Sequence, residues 1–185
     1  MATGNARGKD LWRVLILAGL VVSQITGCAM MWVDAGPNPA RLKVDLTARV
    51  SKAQEQAVLE RSWLTPPVRV PGSWHRVSRP LWDWGVYVVR PDGYLAPLKP
   101  ESGGPTKDVP GYELKQTAVF LAPPGPQSLR LLVWAYLEHK WYDDAGENAE
   151  PLDIQTFQED FELNLCPGCL REISRQFGPP PRQGQ

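Results

Sequence analysis

Two cysteines three residues apart carry the sharpest chemistry in this chain. Cys166-Pro167-Gly168-Cys169 brings two sulfurs close enough to form a disulfide, to exchange with another thiol, or to supply half of a tetrahedral metal site. A structural zinc takes four ligands, and His75 and His139, the chain's two histidines, are remote in sequence. Ser73 and Ser78 flank His75, but no G-x-S-x-G elbow accompanies them. Each histidine therefore reads as a surface or partly buried side chain. Asp143-Asp144-Ala145-Gly146-Glu147-Asn148 offers hard oxygen ligands at a spacing that departs from the calcium-loop pattern, so it reads as a solvated hairpin loop. The expectation is a chain with no catalytic residue, no metal and no cofactor.

The third cysteine, Cys28, stands in a different context. Arg7, Lys9 and Arg13 precede the apolar run Val14–Val22, and Ile25-Thr26-Gly27-Cys28 follows it. A positive start, a short apolar core and small residues make a secretory signal, and the core is too short for a transmembrane helix of about 20 residues. The four residues before and at Cys28 resemble the lipobox of bacterial lipoproteins. That resemblance implies cleavage before Cys28, a diacylglyceryl group on its sulfur, and a fatty acyl chain such as palmitate on the new amine. Several acyl chains anchor a protein where one binds marginally. Ala29 after the cysteine, by similarity to the enterobacterial sorting rule, implies the outer membrane, with the chain facing the periplasm. Residues 1–27 are then a signal peptide and residues 28–40, interrupted by Gly36, Pro37 and Pro39, a tether. With Cys28 claimed by lipid, Cys166 and Cys169 remain as an even pair in an oxidising compartment. One structural disulfide is the favoured reading, with redox activity and metal binding as alternatives.

The whole chain of 185 residues carries 20 basic and 20 acidic side chains. Loss of residues 1–27 would leave a charge near −2, which argues against nucleic acid as a partner. The signs are unevenly spread. Arg61, Arg69, Arg76, Arg79 and Arg90 face only Asp83 within residues 61–90, whereas residues 138–162 hold nine acids and only Lys140 as a base. Solvated faces explain such runs most simply, and pairing between the two runs or with a partner is the alternative.

The elements that must position these residues follow from periodicity. Leu42, Val44, Leu46, Ala48 and Val50 alternate with polar residues and predict a half-buried strand. Ser51 and Gln54 form a capping-box pattern that predicts one short helix over 51–60. Residues 62–80 read as irregular, and Leu81–Arg90 as a strand rich in aromatic and β-branched residues. Pro91-Asp92-Gly93 predicts a turn, residues 94–98 a return strand, and 99–111 a polar loop. Strands follow at 113–121 and 128–142, an acidic loop at 143–151 and a last strand at 160–165, with residues 170–177 a candidate for a further short helix. Residues 41–178 thus form one domain and 179–185 a disordered tail.

A strand, the Cys-x-x-Cys pair and a short helix are also the context in which thioredoxin-like proteins present their thiols. Here only 16 residues follow Cys169, and the preceding chain reads as hairpins, not βαβ units. The pattern as a whole predicts a mainly β, antiparallel β-sandwich with one short helix. The stretch AVFLAPPGPQSLRLLVWAY is similar to the strand–turn–strand hairpins of transthyretin-like and immunoglobulin-like modules. The outer-membrane lipoprotein of type VI secretion is similar in size and class, although its diagnostic motif is absent here.

Spacing by two places Trp82 and Trp84 on one strand face, and Trp134 and Tyr136 on a face opposite the aliphatic row of their strand. These four are candidate partner-binding residues; filling the core is the competing role. The sequence thus predicts a non-catalytic, lipid-anchored envelope protein that docks protein partners. The alternatives are a glycan- or peptidoglycan-binding module and a Cys-x-x-Cys thiol–disulfide protein.

Overall fold

The computed structural model describes residues 32–62, 74–102, 104–143 and 146–180. The signal peptide, Cys28, the first part of the tether and residues 181–185 of the tail lie outside the described residues, as do Trp63 and the side chain of Trp74.

Among the described residues there are one helix and ten strands, and the strands make two sheets. The first sheet holds β1 (Ala40–Arg49), β5 (Lys99–Ser102), β7 (Glu113–Ala122) and β10 (Leu170–Phe177), in the order β10-β1-β7-β5. The second is built on β8 (Gly125–Asp143). Along one edge of β8 runs β9 (Gly146–Leu165). Along the other run β3 (Leu81–Val89) and β2 (Trp74–Val77), and β3 in turn pairs β4 (Leu95–Pro97) and β6 (Val109–Pro110).

Alternation drives the layering. The inward row of β1 is Leu42, Val44, Leu46 and Ala48; that of β8 is Leu129, Leu131, Val133, Ala135 and Leu137; all nine are at most 1% exposed. The two rows share one hydrophobic cluster with Leu114, Phe120, Trp82 and Val86. Trp84 of the second sheet meets Phe120 of the first edge to face, with ring centroids 5.6 Å apart. Its Nε1 donates to Gln116 Oε1 at 2.7 Å across the same gap. The fold is therefore a β-sandwich, as periodicity predicts.

The helix α1 (Lys52–Arg61) starts where its cap signal places it. Ser51 Oγ accepts from Gln54 N at 3.2 Å, and Gln54 Oε1 accepts from Ser51 N at 2.8 Å. Val58 is its buried residue, and Gln54 Nε2 reaches Gln155 Oε1 of β9 at 3.3 Å. The predicted turn also forms: Gly93 adopts φ +82, and Asp92 Oδ1 accepts from Tyr94 N at 2.9 Å.

Four expectations need correction. Residues 74–77, read as irregular, form β2, because the extended upper part of β8 offers them a ladder. The polar loop 99–111 contains β5 and β6 for the same reason. Of the acidic loop 143–151, Asp143 ends β8 and residues 146–151 begin β9, whose pairing with β8 runs from Asp143↔Gly146 to Gly125↔Leu165. Backbone hydrogen bonds, blind to side-chain charge, decide this element, and an edge position tolerates Pro151. Finally, residues 170–177 are a strand rather than a helix. β10 covers the open edge of β1 in parallel, with Arg41↔Leu170 through Ala48↔Phe177 in register, so the sheets are not wholly antiparallel. Helix propensity is a weak preference that an unpaired sheet edge overrides.

One irregularity matters for the core. Between Ala135 and Tyr136 the register of β9 slips by one, leaving Ile154 as an extra residue. Phe157, Phe161, Leu163 and Leu165 pack inward on odd positions, and the bulge lets Leu152 and Ile154 do so on even ones.

Truncating the centre should hurt far more than removing the cap. Leu131→Ala, at a fully buried site, should lose about 2–5 kcal/mol, and Ser51→Ala about 1 kcal/mol. Urea unfolding with unchanged m-values checks both.

Candidate functional site: the outer face of the β8 sheet

Residues on β8 that point away from the core are Arg130, Leu132, Trp134, Tyr136, Glu138 and Lys140. The register sets Asp83 of β3 opposite Trp134, Leu81 opposite Tyr136 and Tyr87 opposite Arg130. From β9, Thr156 faces Trp134 and Asp153 faces Tyr136. This face is where the sandwich presents aromatic and acidic groups together.

Trp134 and Tyr136 stack, with ring centroids 4.3 Å apart and planes 26° from parallel. Each polar tip is fixed by a carboxylate. Trp134 Nε1 donates to Asp153 Oδ1, and the Tyr136 hydroxyl donates to Asp108 Oδ1. Asp108 takes a positive φ of 55° to reach it, a conformation that Asp tolerates better than most residues. Burial raises the Tyr136 hydroxyl above the ordinary phenol range, and the Asp108 carboxylate pushes it further the same way. Burial also raises Asp83 and Asp153 above the usual carboxylate range; Lys107 partly opposes this at Asp83. The Tyr87 ring lies close to Gly85, where an added Cβ would come within 3.2 Å of it. Further along, Arg130 Nε pairs with Asp160 Oδ1 at 2.6 Å and holds that carboxyl below its ordinary range.

Of the four aromatic residues proposed from sequence, the structure separates two from two. Trp82 and Trp84 are 0% and 6% exposed and belong to the core, so they are corrected as partner-binding candidates. Trp82 Nε1 is satisfied by Gly111 O at 2.7 Å. Trp134 is partly exposed, and Tyr136 is buried beneath its neighbours at 8%.

Part of the acidic run is engaged by bases on β8 and β10. Asp160 meets Arg130, Glu159 meets Arg175 of β10 at 2.6 Å, and Glu138 meets Lys140 at 3.2 Å. Among the described residues no ion pair joins it to the arginines of residues 61–90.

Cys166 and Cys169 are at disulfide distance, with Cα atoms 5.4 Å apart. The pair sits in the turn from β9 to β10, which carries the chain from one sheet to the other. Gly168 takes φ +71 there, and Cys169 O accepts from Arg41 N at 2.8 Å. A bridge at this position closes the turn on itself, and the Arg41 N–Cys169 O hydrogen bond ties the turn to the start of β1.

Sequence reasoning missed the meeting of the histidines, 64 residues apart. His75 Nδ1 lies 3.0 Å from His139 Nε2, and His139 Nδ1 lies 3.0 Å from Glu150 Oε1. The rings stack at 5.2 Å, and Trp141 stacks on His139 at 4.9 Å. Pairing of Val77 with His139 brings them together, a register invisible while β2 reads as loop. Ser78 Oγ, the nearby hydroxyl, is occupied by Glu138 N and Arg79 O, and Ser73 lies outside the described residues. Among the described residues no group of three His, Cys, Asp or Glu is placed to hold a metal ion.

Two predictions follow from these placements. Asp83 has a raised folded-state pKa, so its contribution to stability is present at low pH and is lost as pH rises through that value. Asp83→Asn, which keeps the acceptor for Trp84 N, should stabilise the fold at pH 7. The gain should vanish below the ordinary carboxylate range, as read by urea midpoints at the two pH values. Cys166→Ser with Cys169→Ser should lower stability by roughly 2 kcal/mol, the value for so short a loop. The wild type should show no thiol reactive at these positions until reductant is added, a point for alkylation and mass spectrometry.

Comparison of the chain with protein-family models, with curated proteins and with solved structures found no match.

Proposed function

We propose that this chain is a non-catalytic lipoprotein of a bacterial envelope. On this reading acyl chains on Cys28 hold it at the outer membrane, facing the periplasm, and the sandwich docks a protein partner. The lipobox-like Ile25-Thr26-Gly27-Cys28 supports the anchor. The single observation that supports docking is the rigid Trp134–Tyr136 stack on the outer face, framed by Asp83, Asp108 and Asp153.

The chemistry of that shelf selects the partner. A partly exposed indole face attracts a guanidinium or ammonium group, and carboxylates beside it supply charge-assisted acceptors. A basic segment of a protein, led by arginine, fits both features. Trp134 and Tyr136 are held by their hydrogen bonds before any partner arrives, so little side-chain entropy is lost on binding. The second reading is a glycan ligand, because a stacked indole bordered by carboxylates also suits a sugar ring.

A photoreactive residue at Thr156, exposed beside Trp134, should capture one protein neighbour in intact envelopes. Trp134→Ala should reduce that capture at least severalfold without altering far-UV circular dichroism. Capture that is absent, or indifferent to Trp134, rejects docking through this shelf. A change in tryptophan fluorescence on adding peptidoglycan fragments instead would move the assignment to glycan. The anchor has its own test: the amino-terminal fragment of native protein should carry a diacylglyceryl mass on Cys28, and an unmodified thiol there rejects it.

A further inference from the structure

A second site lies farther along the same face, where β2 runs beside β8. Arg76 is paired with Lys140, so the two side chains share a face, and Glu138 lies two residues along from Lys140 on that face. Just past β2 the chain is tied to β8. Ser78 N donates to Glu138 O at 2.9 Å, and Ser78 Oγ accepts from Glu138 N at 2.8 Å while donating to Arg79 O at 2.7 Å. The corner so fixed borders a half-open cavity of about 420 Å³, lined by Arg76, Val77, Ser78, Arg79, Glu138 and Lys140. That volume falls in the range of roughly 300–1,000 Å³ that small ligands occupy.

The charges divide unequally. Lys140 Nζ is 3.2 Å from Glu138 Oε2 and 3.9 Å from Glu147 Oε1, so its charge is already answered. Among the described residues neither Arg76 nor Arg79 has an ion pair. Arg76 and Arg79, both exposed, thus line one cavity, and among the described residues neither charge is met by a carboxylate. Guanidinium forks match the oxygens of phosphate and carboxylate in pairs. A carboxylate or a phosphodiester brings one negative charge, whereas a phosphomonoester brings about −1.5 to −2 at neutral pH. We infer that this cavity receives a phosphomonoester, with Arg76 and Arg79 gripping its oxygens. Glu138 limits the site to one such group by opposing a second. The inference stands whether or not the lipid anchor and the aromatic shelf are upheld.

The full chain, purified in detergent, is titrated with inorganic phosphate, glycerol phosphate, dimethyl phosphate and acetate at constant ionic strength. Thermal midpoint and tryptophan fluorescence are followed. The two phosphates with a free dianionic head should raise the midpoint saturably, and dimethyl phosphate and acetate should act at least about tenfold more weakly. Arg76→Gln with Arg79→Gln should abolish the response, and Arg90→Gln, whose guanidinium lies over Tyr94 instead, should keep it. Should the double variant fail to fold, Arg76→Lys and Arg79→Lys singly retain charge but lose the fork, and each should weaken binding about tenfold. Equal responses to acetate and phosphate, no response in the wild type, or a full response in folded variants overturns the inference. Repeating the glycerol phosphate titration in vesicles distinguishes the sources. Loss of the response in phosphatidic acid vesicles but not in phosphatidylcholine vesicles assigns the site to a lipid headgroup; an equal response in both assigns it to a soluble phosphomonoester.

Discussion

Burial of the aliphatic row Leu129–Leu137 on β8 against the row Leu42–Ala48 on β1 sets the direction of every other side chain on these strands. Side chains alternate along a strand, so one buried row commits the intervening residues to the opposite face. That commitment puts Arg130, Trp134, Tyr136, Glu138 and Lys140 on one outer surface without any of them needing to stabilise it. The surface is then free to carry groups that a core would reject. The partners on β3 and β9 inherit the same rule through their register, and Asp83, Asp153 and Thr156 arrive beside the aromatic stack by geometry alone.

Much of this order is legible in the sequence, and the failures share one cause. β1, α1, β3, β7 and β8 announce themselves through alternation, a capping box or β-branched content, all local signals. β2, β6, the first half of β9 and β10 exist because a neighbour offers an unsatisfied backbone edge, and for β2, β6 and β10 that neighbour is far away in the chain. Glu147, Glu150 and Pro151 look like loop because charge and proline disfavour strands, yet the ladder beside Glu138–Asp143 holds them extended. The sites divide the same way. Cys166 and Cys169 are adjacent in sequence and legible. The His75–His139–Glu150 chain, and the convergence of Arg76 and Arg79 on one cavity, depend on a register between strands and are not. Trp82 and Trp84 show the converse error: two large aromatics suggest an interface until the depth of the second sheet is known.

The two proposed sites on the outer face have opposite character. Around Trp134 the carboxylates dominate; around Arg76 the guanidiniums do. Glu138 stands between them, near enough to Tyr136 to raise its hydroxyl's pKa and bonded to Lys140 on the other side. A partner spanning both would need a basic part and an anionic part in fixed order. Such polarity along one sheet sets the orientation of docking as well as its strength.

The parallel pairing of β10 with β1 joins segments 129 residues apart, as Lys43 and Glu172 show. One edge of the first strand therefore stays bare until nearly the whole domain has been delivered, and non-local closure of this kind slows folding. The first sheet can thus be completed only when the last strand of the described chain arrives, whatever the hairpins before it have already formed.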